Sequence, residues 1–149
     1  MREIVFALEF RGRGGPAPGS TTQRQARTTA PSQVLRAVLG PDGVRAGVEP
    51  VAGESAVLES RVERFPDGTF VEDGTITYGG AGSISFGTVG RGHVGPAPGG
   101  SGSHGVVMWR ITGGDGRFHG AQGLITSNFT VSPDGLVTDD HFTRLYLPD

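Results

Sequence analysis

The sequence contains no cysteine and no lysine among its 149 residues. The absence of cysteine excludes a disulfide framework, a thiol nucleophile and a cysteine-based zinc site. Because all 13 basic residues are arginine, catalysis through a lysine Schiff base is excluded as well. The arginine bias fits a coding sequence rich in G and C, and we draw no functional conclusion from it.

The sequence also lacks a strong charge excess and a long apolar run. The net charge is -2 and no basic block stands out, so nucleic acid is not an expected partner. No stretch is long and apolar enough to span a bilayer, and we expect no membrane association. The N-terminal segment carries Glu3 and Glu9 and has no secretory apolar region, which predicts a cytoplasmic protein.

Signals for metals, cofactors and nucleophiles are equally scarce. The four histidines, among them His104 and His141, do not form pairs at the spacing of common metal sites, so we expect no metal. The glycine-rich runs open no predicted helix, which argues against a phosphate cradle and an organic cofactor. A nucleophile elbow between a strand and a helix is missing, which disfavours a hydrolase.

Glycine and proline are abundant, with 27 and 10 residues, and they mark turns. One tripeptide, Pro-Asp-Gly, occurs three times. Proline presets φ for a type I turn, aspartate bonds its own backbone, and glycine takes the left-handed position that follows. The copies predict three antiparallel hairpins. They occupy residues 41–43, 66–68 and 133–135.

Between these turns the hydrophobic pattern has a period of two, which is typical of strands. The first strand has a wholly apolar face of Ile4, Phe6, Leu8 and Phe10. Further strands are predicted over residues 56–65, 69–78, 83–94, 105–111, 124–131 and 136–147, with a weaker pair between residues 34 and 51. Residues 20–27 are polar and are expected to be a mobile loop, and residues 31–39 have at most a weak helical pattern.

About eight short strands at this spacing predict a single all-β domain over residues 1–149. The spacing fits a sandwich or a barrel, and we expect a closed antiparallel β-barrel with an apolar interior. Closure removes exposed strand edges, and the interior glycines permit the coiling that closure needs. Two loops share the pentapeptide Gly-Pro-Ala-Pro-Gly, at residues 15–19 and 95–99. Either their similarity is coincidental, or both flank one barrel mouth as lids.

Several polar and aromatic residues in apolar strands are candidates for a site. Glu9 is either a solvated carboxylate on the outer face or a lumen acid whose pKa burial would raise. Trp109, the only tryptophan, is a core plug or a pocket wall. The remaining candidates are polar groups that could orient a ligand: Asn128 and Tyr146 in a catalytic role, and Tyr78, Arg110 and His104 in binding.

Residues 111–123 read Ile-Thr-Gly-Gly-Asp-Gly-Arg-Phe-His-Gly-Ala-Gln-Gly. This stretch resembles the Gly-Gly-x-Gly-x-Phe-x-Gly-Ala-x-Gly motif of the allene oxide cyclase and dirigent superfamily, and residues 142–147 resemble its closing strand. The resemblance implies a calycin-like, eight-stranded antiparallel barrel with a hydrophobic cavity, often trimeric in plant members. It also makes Glu9 the nearest equivalent of a carboxylate on the first strand of the plant cyclase.

The function expected from these observations is binding of a small, largely apolar molecule in the barrel. A cofactor-independent cyclase or isomerase would use Glu9 to exchange a proton and Asn128 and Tyr146 to orient polar atoms. The alternatives are a non-catalytic carrier or sensor, and a structural assembly domain with a filled lumen. We expect a homo-oligomer, either a dimer or a trimer.

Overall fold

The computed structural model describes all residues, 1–149, and contains eleven β-strands and two single-turn 3₁₀ helices. The strands are β1 (Arg2–Pro16), β2 (Gln23–Ala30), β3 (Gln33–Gly40), β4 (Gly43–Pro50), β5 (Ala56–Arg64), β6 (Thr69–Tyr78), β7 (Ser83–Thr88), β8 (Gly92–Pro96), β9 (Ser103–Gly114), β10 (Gln122–Val131) and β11 (Leu136–Leu147). The 3₁₀ turns are Gly79–Ala81 and Gly116–Phe118. No helix is both long and apolar enough to cross a membrane.

Nine of the strands form one closed sheet. Its order is β1, β2, β5, β6, then β7 and β8, then β9, β10 and β11, which pairs back to β1. The short strands β7 and β8 share one position, because both pair with β6 on one side and β9 on the other. All pairings are antiparallel. The predicted all-β, eight-position closed barrel of calycin type is therefore confirmed.

Each Pro-Asp-Gly turn connects a hairpin, as predicted: β3 to β4, β5 to β6, and β10 to β11. Gly43, Gly68 and Gly135 have φ values of 111°, 83° and 89°. A side chain at these positions would be strained, which explains why glycine ends each turn.

One local prediction was wrong and another is confirmed. Residues 20–27, expected to be mobile, contribute to β2. The weaker strand pair predicted between residues 34 and 51 is present as β3 and β4, and residues 31–39 form no helix. The inward positions of β2 include Ala26, Thr28 and Ala30. Since these side chains are small or polar, β2 has no apolar alternation, and its pairing with β1 and β5 stabilises it instead.

The barrel interior is filled with side chains along most of its length. Trp109 is buried at the centre and stacks on Phe86, with ring centroids 4.2 Å apart. The largest fully buried side chains are Trp109, Phe10, Leu58, Ile76, Ile84, Ile125, Leu145, Thr143 and Ser127. The interior is apolar as expected, but the open chamber expected from the sequence is replaced by close packing.

The hairpin of β3 and β4 lies outside the barrel. The ladder between β2 and β5 ends at Ala30 and Ala56. Beyond it, the polypeptide between these two residues forms a two-stranded ribbon. Nearly all of its sixteen residues are exposed. The ribbon therefore extends from the barrel end opposite the turns of the other two Pro-Asp-Gly hairpins.

Candidate functional site

A cavity of about 70 Å³ lies inside the barrel at the end formed by the β1–β2, β5–β6, β8–β9 and β10–β11 connections. It is far smaller than the pockets of several hundred Å³ that hold drug-sized ligands. Its walls are mostly apolar, with two carboxyl groups and two arginines among them. The lining comprises Gly14, Arg24, Gln25, Ala26, Thr28, Leu58, Val62, Arg64, Phe70, Glu72, Val94, Phe129, Val131, Val137 and Asp139.

Glu72 is the first of the two carboxyl groups. It occupies an inward position of β6, two residues after the buried Phe70. The residue is half-buried as a whole, but its carboxyl group lies beneath the barrel wall, where the Ser60 hydroxyl donates a hydrogen bond of 2.6 Å to Oε2. Burial raises the pKa of Glu72 to about 8, and the negative charge of Asp139 contributes to the increase. Glu72 is therefore largely protonated at neutral pH.

Asp139 is the second carboxyl group, and it bridges two other buried side chains. The Ser127 hydroxyl donates to Oδ1 at 2.6 Å, and His141 Nε2 lies 2.9 Å from Oδ2. A carboxylate at Asp139 would accept both hydrogen bonds, which requires the His141 tautomer with its proton on Nε2. The side chains of His141 and Asp139 are 1% and 10% exposed. The two hydrogen bonds hold the carboxylate in one orientation towards the cavity.

Aromatic rings fix the position of His141. Its ring stacks on Phe10 with centroids 4.4 Å apart and meets Trp109 edge-on at 5.0 Å. His141 Nδ1 and Trp109 Nε1 are buried and have no hydrogen-bond partner. His141 is therefore held in place by the packed aromatic core, and its hydrogen bond fixes the position of the Asp139 carboxyl group.

The two arginines of the cavity, Arg24 and Arg64, come from adjacent strands β2 and β5. Neither forms an ion pair with an acidic residue. Burial lowers the pKa of Arg64, and the positive charge of Arg24 lowers it further. Two guanidinium groups without an anionic partner favour an anion at this end of the cavity.

The loops with the shared pentapeptide both lie at this mouth. Each contains the same pair of turn hydrogen bonds: in the first, Ala17 N–H donates to Gln23 O and Ser20 N–H to Ala17 O. The second repeats them with Ala97 N–H to Gly102 O and Gly100 N–H to Ala97 O. The loops thus flank one mouth, and their action as lids stays a prediction.

Five of the seven residues proposed from the sequence lie on the outer surface. Glu9 shares the outward face of β1 with Val5, and its carboxylate accepts hydrogen bonds from Arg11 at 2.7 and 2.9 Å. Glu9 therefore has no access to the lumen, and the lumen alternative for it was wrong. The other four outer residues are Asn128, Tyr146, Arg110 and His104, which also point away from the cavity.

The structure does bring Glu9 and Asn128 together, but outside the barrel. Both lie opposite Asp140, Glu9 from β1 and Asn128 from β10. The pKa of Asp140 is raised to about 6, first by burial and then by the hydrogen bond and negative charge of Glu9. This is a surface carboxyl pair, not part of the cavity.

Trp109 and Tyr78 are the two proposed residues that point inward. Trp109 is packed on all sides, as the core-plug alternative holds. Tyr78 lies at the opposite end of the lumen, between the rings of Phe6 and Phe118 at 5.6 and 5.3 Å. Burial raises the pKa of Tyr78, which keeps its hydroxyl un-ionised. Neither residue lines the cavity.

Sequence reasoning missed Glu72, Asp139 and His141, although the sequence contained a signal for them. Glu72 has the same strand parity as the apolar Phe70 and Ile76. Asp139 and His141 likewise share parity with Leu145. Ionisable residues at the apolar positions of a two-residue repeat indicate buried charge.

Comparisons with protein-family models, curated proteins and solved structures found no match for this chain. The resemblance of residues 111–123 to the allene oxide cyclase superfamily therefore stays a prediction.

Proposed function

We propose that the chain binds a small, largely apolar carbonyl compound with an anionic group and catalyses proton transfer at the carbon next to its carbonyl. An isomerase or cyclase of this kind needs no cofactor, since the proton moves within the substrate. The observation that carries the proposal is that a protonated Glu72 and the hydrogen-bonded carboxylate of Asp139 line one cavity.

Two carboxyl groups in different protonation states divide the work of acid–base catalysis. Asp139 takes a proton from the α-carbon, and the electron pair of that C–H bond moves towards the carbonyl oxygen. Glu72 donates its hydrogen bond to the developing enolate oxygen. The proton on Asp139 then returns to carbon, either at the same position or at another carbon of the conjugated system. No oxidant or reductant is required.

Arg24 and Arg64 define the second part of the substrate. A carboxylate at the mouth would pair with the two guanidinium groups, while the apolar body contacts Leu58 and Phe70. The small volume of the cavity admits only the reacting end of a larger molecule. The remainder would lie between the two proline-rich loops.

Hydrogen exchange of 4-oxopentanoate in D₂O tests the proposal, because this probe carries a carboxylate and acidic C–H bonds beside a ketone. We expect the wild type to accelerate the loss of the α-proton NMR signals. Glu72→Gln should lower the rate by about 10²-fold or more, since a general acid typically contributes this much. Glu59→Gln is the matched control, because Glu59 lies on the outer face of β5.

Equal rates for the wild type and Glu72→Gln, or no acceleration by the wild type, would contradict the enzymatic proposal. Binding of the probe at the cavity without exchange would favour the carrier alternative. Arg64→Ala separates binding from chemistry, because it should raise the probe concentration needed for half-maximal exchange.

A further inference from the structure

The ribbon of β3 and β4 has one face that is apolar beyond its first residue, Gln33. Cross-strand pairing places Leu35 opposite Val48, Ala37 opposite Ala46 and Leu39 opposite Val44. The exposed fractions of Leu39 and Val44 are 79% and 65%. The other face carries the Arg36–Glu49 ion pair, with nitrogen and oxygen 2.8 Å apart.

An isolated two-stranded ribbon is only marginally stable in water, and a third strand or a packed face is needed to support it. The ribbon makes almost no contact with its own barrel beyond its first residue, Gln33. Its apolar face is therefore exposed to solvent in the single chain, as is typical of an interaction surface.

A second unsatisfied element lies at the same end of the barrel. Residues 2–10 of β1 pair with β11 only, because pairing with β2 begins at Arg11. Glu9 directs its backbone N–H and C=O away from β11, to Gln33. By alternation, Glu3, Val5 and Ala7 direct theirs to the same open edge, where they have no backbone partner.

We infer that the open edge of β1 binds β3 of a second copy of this chain, in a reciprocal exchange of ribbons. The free edge of β3 continues the edge by which β2 pairs with β1 in its own chain. The exchange supplies the open edge with the same strand from an identical partner. The open edge and β3 also match in length, at nine and eight residues.

The size of the contact supports a second copy as the partner. A ribbon of eight residue pairs is about 27 Å long, and one face of it presents roughly 300–400 Å². Each chain gives one ribbon and receives one, so the buried surface per chain approaches the ~800 Å² of a standard interface. The ribbon pairs with the partner's β1 so that its apolar face lies on the same side as the inward Ile4, Phe6 and Leu8. One twofold dimer thereby covers the open edge and places the apolar face against the partner's barrel end.

Sedimentation velocity of the full chain tests the inference. We expect the wild type to be a dimer and Leu39→Glu to be a monomer, because the charge falls on the apolar face. Val38→Glu is the matched control, since Val38 is exposed on the opposite face, and it should remain a dimer.

The edge is tested by Val5→Pro. This change removes an N–H that points to the open edge and leaves the pairing with β11 intact, so a folded monomer is expected. A dimer that survives both Leu39→Glu and Val5→Pro but dissociates in Phe142→Glu would place the interface on the barrel wall and overturn the inference. A wild type that is monomeric in solution would overturn the inference as well. Binding of that monomer to phosphatidylglycerol vesicles would show that the apolar face contacts lipid instead of a second copy.

Discussion

The side-chain amide of Gln33 pairs with the backbone of Glu9 as a neighbouring strand would. Glu9 N–H donates to Gln33 Oε1 at 2.7 Å, and Gln33 Nε2 donates to Glu9 O at 3.3 Å. In the register of β1 and β2, Glu9 would lie opposite Pro31, which has no N–H to donate. Gln33 thus ends the ladder at the point where the ribbon leaves the barrel.

Gln33→Ala should expose the backbone of Glu9 and lower the free energy of unfolding by about 1 kcal/mol, the usual net value of such hydrogen bonds. Amide hydrogen exchange measures the local effect, and the Glu9 amide should exchange faster than in the wild type. Gln25→Ala is the control, because Gln25 is exposed within β2. Unchanged protection of Glu9 would show that Gln33 does not cap the ladder.

Asp139 and Asp140 are adjacent on β11 but face opposite sides of the barrel wall. Asp139→Ala should lower the free energy of unfolding by roughly 2–4 kcal/mol, because Ser127 and His141 lose a buried partner. Asp140→Ala should not lower it, since Asp140 lies on the outer face beside Glu9 and takes no part in this network. Denaturant unfolding measures both values, and similar losses for the two variants would refute a structural role for the buried network.

Gly123 and Gly113 make a second matched pair, within the stretch that resembles the cyclase superfamily. A Cβ at Gly123 would overlap the carbonyl oxygen of Arg144, and its φ of 141° disfavours a side chain. Gly123→Ala should therefore lower the melting temperature by several degrees or prevent folding. Gly113→Ala meets no atom within 4 Å and should have little effect. Equal melting temperatures for the two variants would show that the coiling at Gly123 tolerates a side chain.

The pH dependence of stability provides a prediction for Glu72. Its folded pKa of about 8 exceeds the ordinary value of 4.5, so the folded state retains a proton that the unfolded state releases. The stabilisation is complete below pH 4.5 and is lost as the pH rises through 8. Between pH 6 and 8 the wild type should lose on the order of 2 kcal/mol relative to Glu72→Gln, and denaturant unfolding at both pH values gives the difference.

The pH window above 6 is chosen because Asp140 also has a raised pKa, of about 6. The stability that protonated Asp140 contributes is lost mainly between pH 4 and 6, below the chosen window. Any remaining effect is the same in the wild type and in Glu72→Gln. If the wild type and Glu72→Gln show the same pH dependence, Glu72 does not remain protonated in the folded state.

The sequence specified the fold in those places where local chemistry dictates the backbone. The three Pro-Asp-Gly turns and the alternation from Ile4 to Phe10 predicted hairpins and an inward face, and both are present. β2 escaped prediction because its stability comes from pairing with distant strands. Thr28 is buried, but a threonine is equally common on the outer face of a strand, so its sequence does not indicate that it points inward.

The site was harder to predict than the fold. Which strand face points inward was open for Glu9, and closure of the barrel decided it. The proximity of Glu72 on β6 to Asp139 on β11 depends on how the barrel coils, and sequence separation conceals it. The sequence does place Asp139 and His141 at the same alternate positions of β11 as the apolar Leu145. This pattern indicates that both side chains point inward.

The protonation state of Glu72 is the central claim, and a carboxyl ¹³C NMR titration of the wild type measures it directly. We expect the Glu72 signal to titrate with a midpoint near 8, well separated from the exposed glutamates, with Glu72→Gln used to assign the resonance. A midpoint near the ordinary value of 4.5 would contradict the account, because the cavity would then hold two like-charged carboxylates and no acid.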